Sequence, residues 1–499
     1  MKLENNLIRY IDAGFPILYV NSHEESKIDS IIKNVVTGRK ILEWNGVNGF
    51  TDFDTKKSNQ LADSTLAGTI HFLIESGDLD RTVLILKDVY ALLDEPEIIA
   101  LLKFLAGRIS GGILETNIII ESSVIQIPKE LEPYITILEA DYLSAKEISS
   151  IIIEFITLNE VDMIRDELLE EMSIAFKGLS QFEIENILSL AYADDGELSR
   201  RDLKLISEQK KQMIMKSGIL EMITLREDLE DIGGLDNLKA WLNRKAKVFK
   251  NIDRAKEFGV DIPKGVLIAG VPGCGKSLNA KAAAKLFEVP LLRLDMGRLM
   301  GKYVGESEAN MRKAIALAEA IAPCVIWVDE LEKAFAGIGG DGGGADVTTR
   351  LFGNFLTWMQ EKESAAFVVA TANDIVKLPP ELLRKGRFDE IFYVGLPNDE
   401  ERKKIFEIHI ARRRKQDIAK IELDKLVSRT RGYSGADIEG VVKESIENIY
   451  ADGKDALTTT DILEAIKNTH SLSEIMKEPL QKMSEEYENR KFKNASVER

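Results

Sequence analysis

Residues 266–277 read "VLIAGVPGCGKS". An apolar run, Val266 to Ala269, meets the pattern G-x-x-x-x-G-K-S at Gly270 to Ser277, and the helix-forming "LNAKAAAKLF" follows at once. Few folds accept this order. A buried strand must end in a glycine loop whose backbone N–H groups can crowd around phosphate oxygens. A helix must then start immediately, so that its positive N-terminal end points the same way. Lys276 would reach the β- and γ-phosphates of a nucleoside triphosphate, and the Ser277 hydroxyl would bind Mg²⁺. The candidate nucleotide contacts in this stretch are Pro272, Gly273, Cys274, Gly275, Lys276, Ser277 and Leu278.

Three further stretches follow in a fixed order. "CVIWVDELEKAF" (324–335) is an apolar strand ending in Asp329-Glu330. Asp329 would hold Mg²⁺ through water, and Glu330 would polarise the attacking water, because hydrolysis needs a carboxylate within one hydrogen bond of it. Alone, such an acidic pair is more often the start of a solvated loop; behind a phosphate loop it reads as catalytic. "FVVATAND" (367–374) is another buried strand, placing Asn373 beside the γ-phosphate and water. "LPPELLRKGRFDE" (378–390) carries Arg384 and Arg387 near a glycine, and arginine suits charge stabilisation on a phosphoryl group in transfer.

Composition excludes several classes. The net charge of −17 opposes broad nucleic-acid binding, which needs basic surface to neutralise phosphates. No apolar run approaches the ~20 residues needed to span a bilayer, and the start "MKLENNLIRYIDAGFPILYV" does not read as a secretion signal. Two cysteines, Cys274 and Cys324, cannot build a disulfide framework or a four-cysteine zinc site. They fit a reducing cytosol, and the expected location is cytoplasmic.

Together these motifs give residues 226–475 a resemblance to an AAA+ ATPase of the AAA subgroup. "EDIGGLDNLKAWL" (230–242) resembles the family segment beside the adenine, which adds Ile232 and Gly233 to the nucleotide contacts. "GYSGADIEGVVKESI" (432–446) resembles the helical lid, whose Gly435-Ala436 pair faces the nucleotide, and His409 in "IFEIHI" matches a position that contacts the base. "FGNFLTWMQEKESAAFVVATAND" with "LPPELLRKGRFDEIFYVGLP" is similar to the uncharacterised AAA proteins of plastid and cyanobacterial reading frames and their bacterial relatives. The resemblance implies ATP and Mg²⁺ as ligands and a homo-hexameric ring, in which Arg384 and Arg387 serve the neighbour's site. It also implies a channel loop at Lys302, Tyr303 and Val304 in "LMGKYVGESE" (299–308), although a Tyr packed on its own subunit would give the same letters. A second, glycine-rich loop, "AGIGGDGGGAD" (336–346), lacks aromatic or basic residues that could grip a chain.

The first half of the chain repeats the second in degraded form. Ile17 falls on Val266 and Lys27 on Lys276, both 249 residues apart, but Asn21 and Ser26 replace Gly270 and Gly275, and Ile28 replaces Ser277. His23-Glu24-Glu25 fills the loop with charge that repels phosphate. "VLILKDV" places Lys87-Asp88 on Asp329-Glu330, Ser123 falls on Asn373, and both arginines are gone. Repetition at this scale means two similar domains rather than a solenoid.

The expected architecture is therefore α/β: a P-loop NTPase (AAA+) parallel sheet with a helical lid, preceded by a degenerate AAA-like α/β module. The expected segments are 1–140 (degenerate module without a phosphate loop), 141–205 (lid-like helices), 206–228 (helix and linker), 229–397 (large ATPase subdomain), 398–475 (lid) and 476–499 (a charged tail, of which 484–499 is expected to fray). The expected activity is Mg-ATP hydrolysis driving remodelling or unfolding of a polypeptide; the alternative is an ATP-controlled scaffold that threads nothing.

Overall fold

The computed structural model describes residues 3–22, 24–58, 61–216, 218–225, 229–299, 306–335, 344–384 and 386–497. It divides into two compact units, residues 1–203 and 204–499. Among the described residues no helix is long and apolar enough to cross a membrane.

The first unit is built on six strands: β1 (Ile17–Asn21), β2 (Lys40–Asn45), β3 (Gly49–Asp52), β4 (Thr82–Lys87), β5 (Thr116–Ser122) and β6 (Ile135–Glu139). Their order is β3-β2-β4-β5-β1-β6, parallel throughout except for β3, which turns back on β2. β4 and β5 are buried at every residue, as strands covered by helices on both faces must be. The helices Ala145–Leu158, Asp166–Phe176 and Gln181–Asp195 follow, the first and third opened by capping boxes at Ser144 and Ser180.

The second unit has seven strands: β7 (Leu220–Ile223), β8 (Gly265–Gly270), β9 (Leu291–Leu294), β10 (Cys324–Val328), β11 (Ala366–Ala372), β12 (Glu390–Val394) and β13 (Lys493–Asn494). Their order is β13-β12-β8-β11-β10-β9-β7, with only β7 antiparallel. Removing β13 leaves the order of the first sheet: β1 stands as β8, β4 as β10, β5 as β11 and β6 as β12. The expected repetition is thus a repetition of topology. The antiparallel edge comes from different chain segments, a hairpin in one unit and the stretch before the phosphate loop in the other.

Period-two alternation along the second sheet separates two cores. Leu267, Ile326 and Val368 pack on one face; Val266, Ile268, Val325 and Phe367 pack on the other. Two segments differ from expectation. Within 206–228, the helix Asp202–Lys216 leads into strand β7, and Ile214 and Leu220 join the core. Residues 484–497, expected to fray, are instead docked: the helix Lys477–Asn489 buries Tyr487, and β13 pairs with β12. Tyr487 stacks on Tyr393 with ring centroids 4.1 Å apart. The Ala495 carbonyl accepts the Asn237 and Leu238 amides at the start of the helix Asp236–Phe249, supplying partners for N–H groups that no side chain caps. A few anchors spaced along a charged segment were enough to dock it.

Candidate active site

β8 delivers the glycine loop. Gly270 has φ 144°, and a Cβ there would lie 2.1 Å from the Val394 carbonyl oxygen, so β8 and β12 approach too closely for any side chain. Gly273 and Gly275 are left-handed, with φ 74° and 85°. Gly275 occupies the N-cap of the helix Lys276–Phe287 and offers no side-chain cap. Lys276 is 6% exposed, and its ammonium donates to the Gly270 and Val271 carbonyls at 2.8 and 2.7 Å. Burial depresses its pKa to about 8.

β10 and β11 deliver the acids. Asp329 Oδ1 accepts from Ser277 Oγ at 3.0 Å and from Thr371 Oγ1 at 2.6 Å. Thr371 Oγ1 in turn accepts the Glu330 backbone N–H at 3.0 Å. Glu330 has a left-handed backbone, φ 49°, that carries its side chain off the strand line and into reach of Asn373. Asn373 Nδ2 donates to Glu330 Oε1 at 3.1 Å, and the Asn373 backbone N–H donates to Glu332 Oε1 at 3.0 Å. Lys333 also pairs with Glu330.

The lid residues Ile405, Ile408, His409, Gly435, Ala436 and Glu439 form another wall of the cavity. A Cβ on Gly233 would lie 2.5 Å from Ile405 Cγ1, so glycine permits the contact between these segments. His409 is half-buried, with Arg413 3.4 Å from its Nδ1; burial lowers its pKa, favouring the neutral imidazole. Ser434 caps the helix Gly435–Ala451, and the Ala436 amide donates to the Gly273 carbonyl at 2.9 Å. Phosphate loop and lid are thereby bonded directly.

These parts enclose one cavity of about 410 Å³. Its lining contains Ile232, Gly233, Pro272, Gly273, Cys274, Gly275, Lys276, Ser277, Leu278, Asp329, Glu330, Asn373, His409, Gly435 and Ala436. Sequence reasoning missed Thr371, Asp231, Ile405, Ile408 and Glu439, which line it too, and Glu332 behind Asn373. Thr371 stood in the quoted "FVVATAND" two residues before Asn373, and that position was its only signal. Neither Arg384 nor Arg387 lines this cavity. Arg384 is exposed on a separate cavity of about 1240 Å³, and the Arg387 guanidinium donates to the Glu381 carbonyl. Lys302, Tyr303 and Val304, with 336–343 of the glycine-rich loop, lie outside the described residues.

The first unit fills the corresponding region with its own charges. Asp88 repeats the left-handed turn after the strand, φ 51°. Lys87 Nζ lies 2.8 Å from Asp29, 3.7 Å from Glu121 and 3.8 Å from Glu43. Burial pushes the Glu121 carboxyl up to about 8. Where the second unit sets hydroxyls around Asp329, the first sets carboxylates around an ammonium.

Residues 266–396 match the description "ATPase family associated with various cellular activities (AAA)", and 420–464 match the AAA+ lid domain. The uncharacterized AAA domain-containing protein ycf46 of Pyropia yezoensis is 35% identical over 500 residues, covering 100% of both chains. The chain belongs to the AAA family of ATPases. Two further ycf46 relatives of this AAA ATPase, from Guillardia theta and Trieres chinensis, are 36% and 34% identical over 93% and 95% of it and cover 90% and 94% of their own lengths. Its residues 3–140 and 146–217 match the N-terminal and second domains of SpoVK-like AAA ATPases. The family generally binds ATP with Mg²⁺, and this AAA ATPase has oxygen ligands suited to that hard cation: the Ser277 hydroxyl, the Asp329 carboxylate and the Thr371 hydroxyl beside it.

Proposed function

We propose that the second unit hydrolyses Mg-ATP, within a homo-hexameric ring, to remodel a polypeptide substrate. The observation that carries the hydrolytic half is the bonded set Ser277–Asp329–Thr371–Glu330–Asn373, with Lys276 across the same cavity. Ser277 and Asp329 would hold Mg²⁺, which neutralises developing phosphate charge when bound. Lys276 leaves the loop carbonyls for the β- and γ-phosphates. Asn373 aims the Glu330 carboxylate, which takes the proton of the attacking water. The buried neutral imidazole of His409 and the apolar Ile232 wall suit an adenine base. Arg384 and Arg387, remote from their own cavity, would complete the neighbour's.

The test is steady-state ATP hydrolysis by the wild type, Glu330→Gln and Arg387→Ala. Both variants should lose turnover by about 10³-fold, Glu330→Gln with ATP still bound. Turnover surviving in Glu330→Gln removes its assigned role. The filled site of the first unit favours a second reading, an ATP-controlled scaffold in which nothing is threaded. Tyr303→Ala separates the two. A threading motor loses substrate processing and keeps basal hydrolysis, whereas a scaffold keeps both.

A further inference from the structure

Glu332 follows the catalytic pair by two residues, in the one-turn helix Leu331–Phe335. It is 6% exposed, although a carboxyl so placed gives up most of its hydration. One oxygen, Oε1, accepts the Asn373 backbone N–H at 3.0 Å. The other, Oε2, is buried with no hydrogen-bond partner among the described residues. A group kept at that cost marks a constraint that stability alone does not impose.

Its place in the bonded set suggests what the constraint is. β10 turns sharply after Val328, and β11 ends at Ala372, so the two loops carrying Glu330 and Asn373 leave the sheet side by side. Two cross-links hold them. Thr371 Oγ1 takes the Glu330 N–H from the β11 side, and Glu332 Oε1 takes the Asn373 N–H from the β10 side. Only after both are made does the side-chain bond from Asn373 to Glu330 have fixed ends.

We infer that Glu332 is a positioning residue for the hydrolytic step: by fixing the Asn373 backbone through Oε1, it sets the aim of Asn373 on Glu330. The inference rests on the ATPase reading above for its consequence, but the cross-link itself has a readout that needs no turnover. Glu332 touches no reacting atom. Its loss lowers kcat while leaving the glycine loop, and therefore ATP affinity, intact. Glutamine at 332 keeps a carbonyl acceptor at the same reach and alanine does not, so the two substitutions separate acceptor from mere bulk.

The experiment compares wild type, Glu332→Ala and Glu332→Gln by three measurements: ATP hydrolysis, ATP affinity by calorimetry, and amide hydrogen exchange of the peptide containing Asn373. Glu332→Ala should lose about tenfold or more in kcat, with its ATP dissociation constant within about threefold of wild type. The Asn373 amide should exchange faster. Glu332→Gln should restore the protection and most of the turnover. Wild-type protection of Asn373 in Glu332→Ala, or a Glu332→Gln variant as impaired as Glu332→Ala, overturns the inference. A wild type that does not hydrolyse ATP overturns the ATPase reading instead, and the exchange comparison still decides whether Glu332 holds Asn373.

Discussion

Lys276 carries a charge that its surroundings resist. Its ammonium donates to the Gly270 and Val271 carbonyls, and burial brings its pKa down from 10.5 to about 8. A triphosphate stabilises the charged form and raises that pKa. Binding above pH 8 therefore takes up a proton, and affinity falls as pH climbs past 8, by up to about tenfold per unit. Calorimetry at pH 8.5 in two buffers of different ionisation enthalpy should show proton uptake in wild type. Uptake should vanish in Lys276→Arg, whose guanidinium stays protonated. On the proposed reading the neighbouring residues would divide labour: Ser277 and Asp329 beside the cation, Glu330 and Asn373 beside the attacking water, and Thr371 and Glu332 holding these in register.

The elements that carry the site were legible because their signals are local. Strand β8, the glycines and the helix Lys276–Phe287 are contiguous, and β10 and β11 announce themselves as short apolar runs ending in Asp329-Glu330 and Asn373. What stayed hidden was tertiary. Thr371 matters through two hydrogen bonds and Glu332 through one, each to a residue 41 or 42 positions away, and no spacing encodes that. The C-terminal segment misled for a related reason: its charge dominates its composition, while docking rests on Tyr487, Phe492 and Ala495 meeting an existing sheet edge. Tyr487→Ala should remove the stack on Tyr393 and cost the second unit about 3 kcal/mol, read as a lower urea midpoint in its unfolding transition. An unchanged midpoint would mean that the helix Lys477–Asn489 does not dock. No local signal marked β7 or β13, whose partners are remote in sequence.

At the scale of the whole molecule, one topology occurs twice with opposite contents. The sheet order is shared, yet one unit has glycines and hydroxyls at its strand ends and the other has Lys87 held among Asp29, Glu43 and Glu121. Neither Arg384 nor Arg387 lines the second unit's own cavity, and on the proposed reading they would complete the site of an adjacent copy. Arg387→Ala and Glu330→Gln, each inactive alone, should therefore regain part of the wild-type turnover when mixed, since some contacts pair an intact Glu330 with an intact Arg387. No recovery at any mixing ratio places the arginine in its own subunit's reaction or outside it altogether. The claim beneath all of this is that only the second unit holds nucleotide, and isothermal titration with Mg-ATP tests it directly. Wild type should bind one ATP per chain and Lys276→Ala none; two per wild-type chain, or undiminished binding in Lys276→Ala, would overturn the claim.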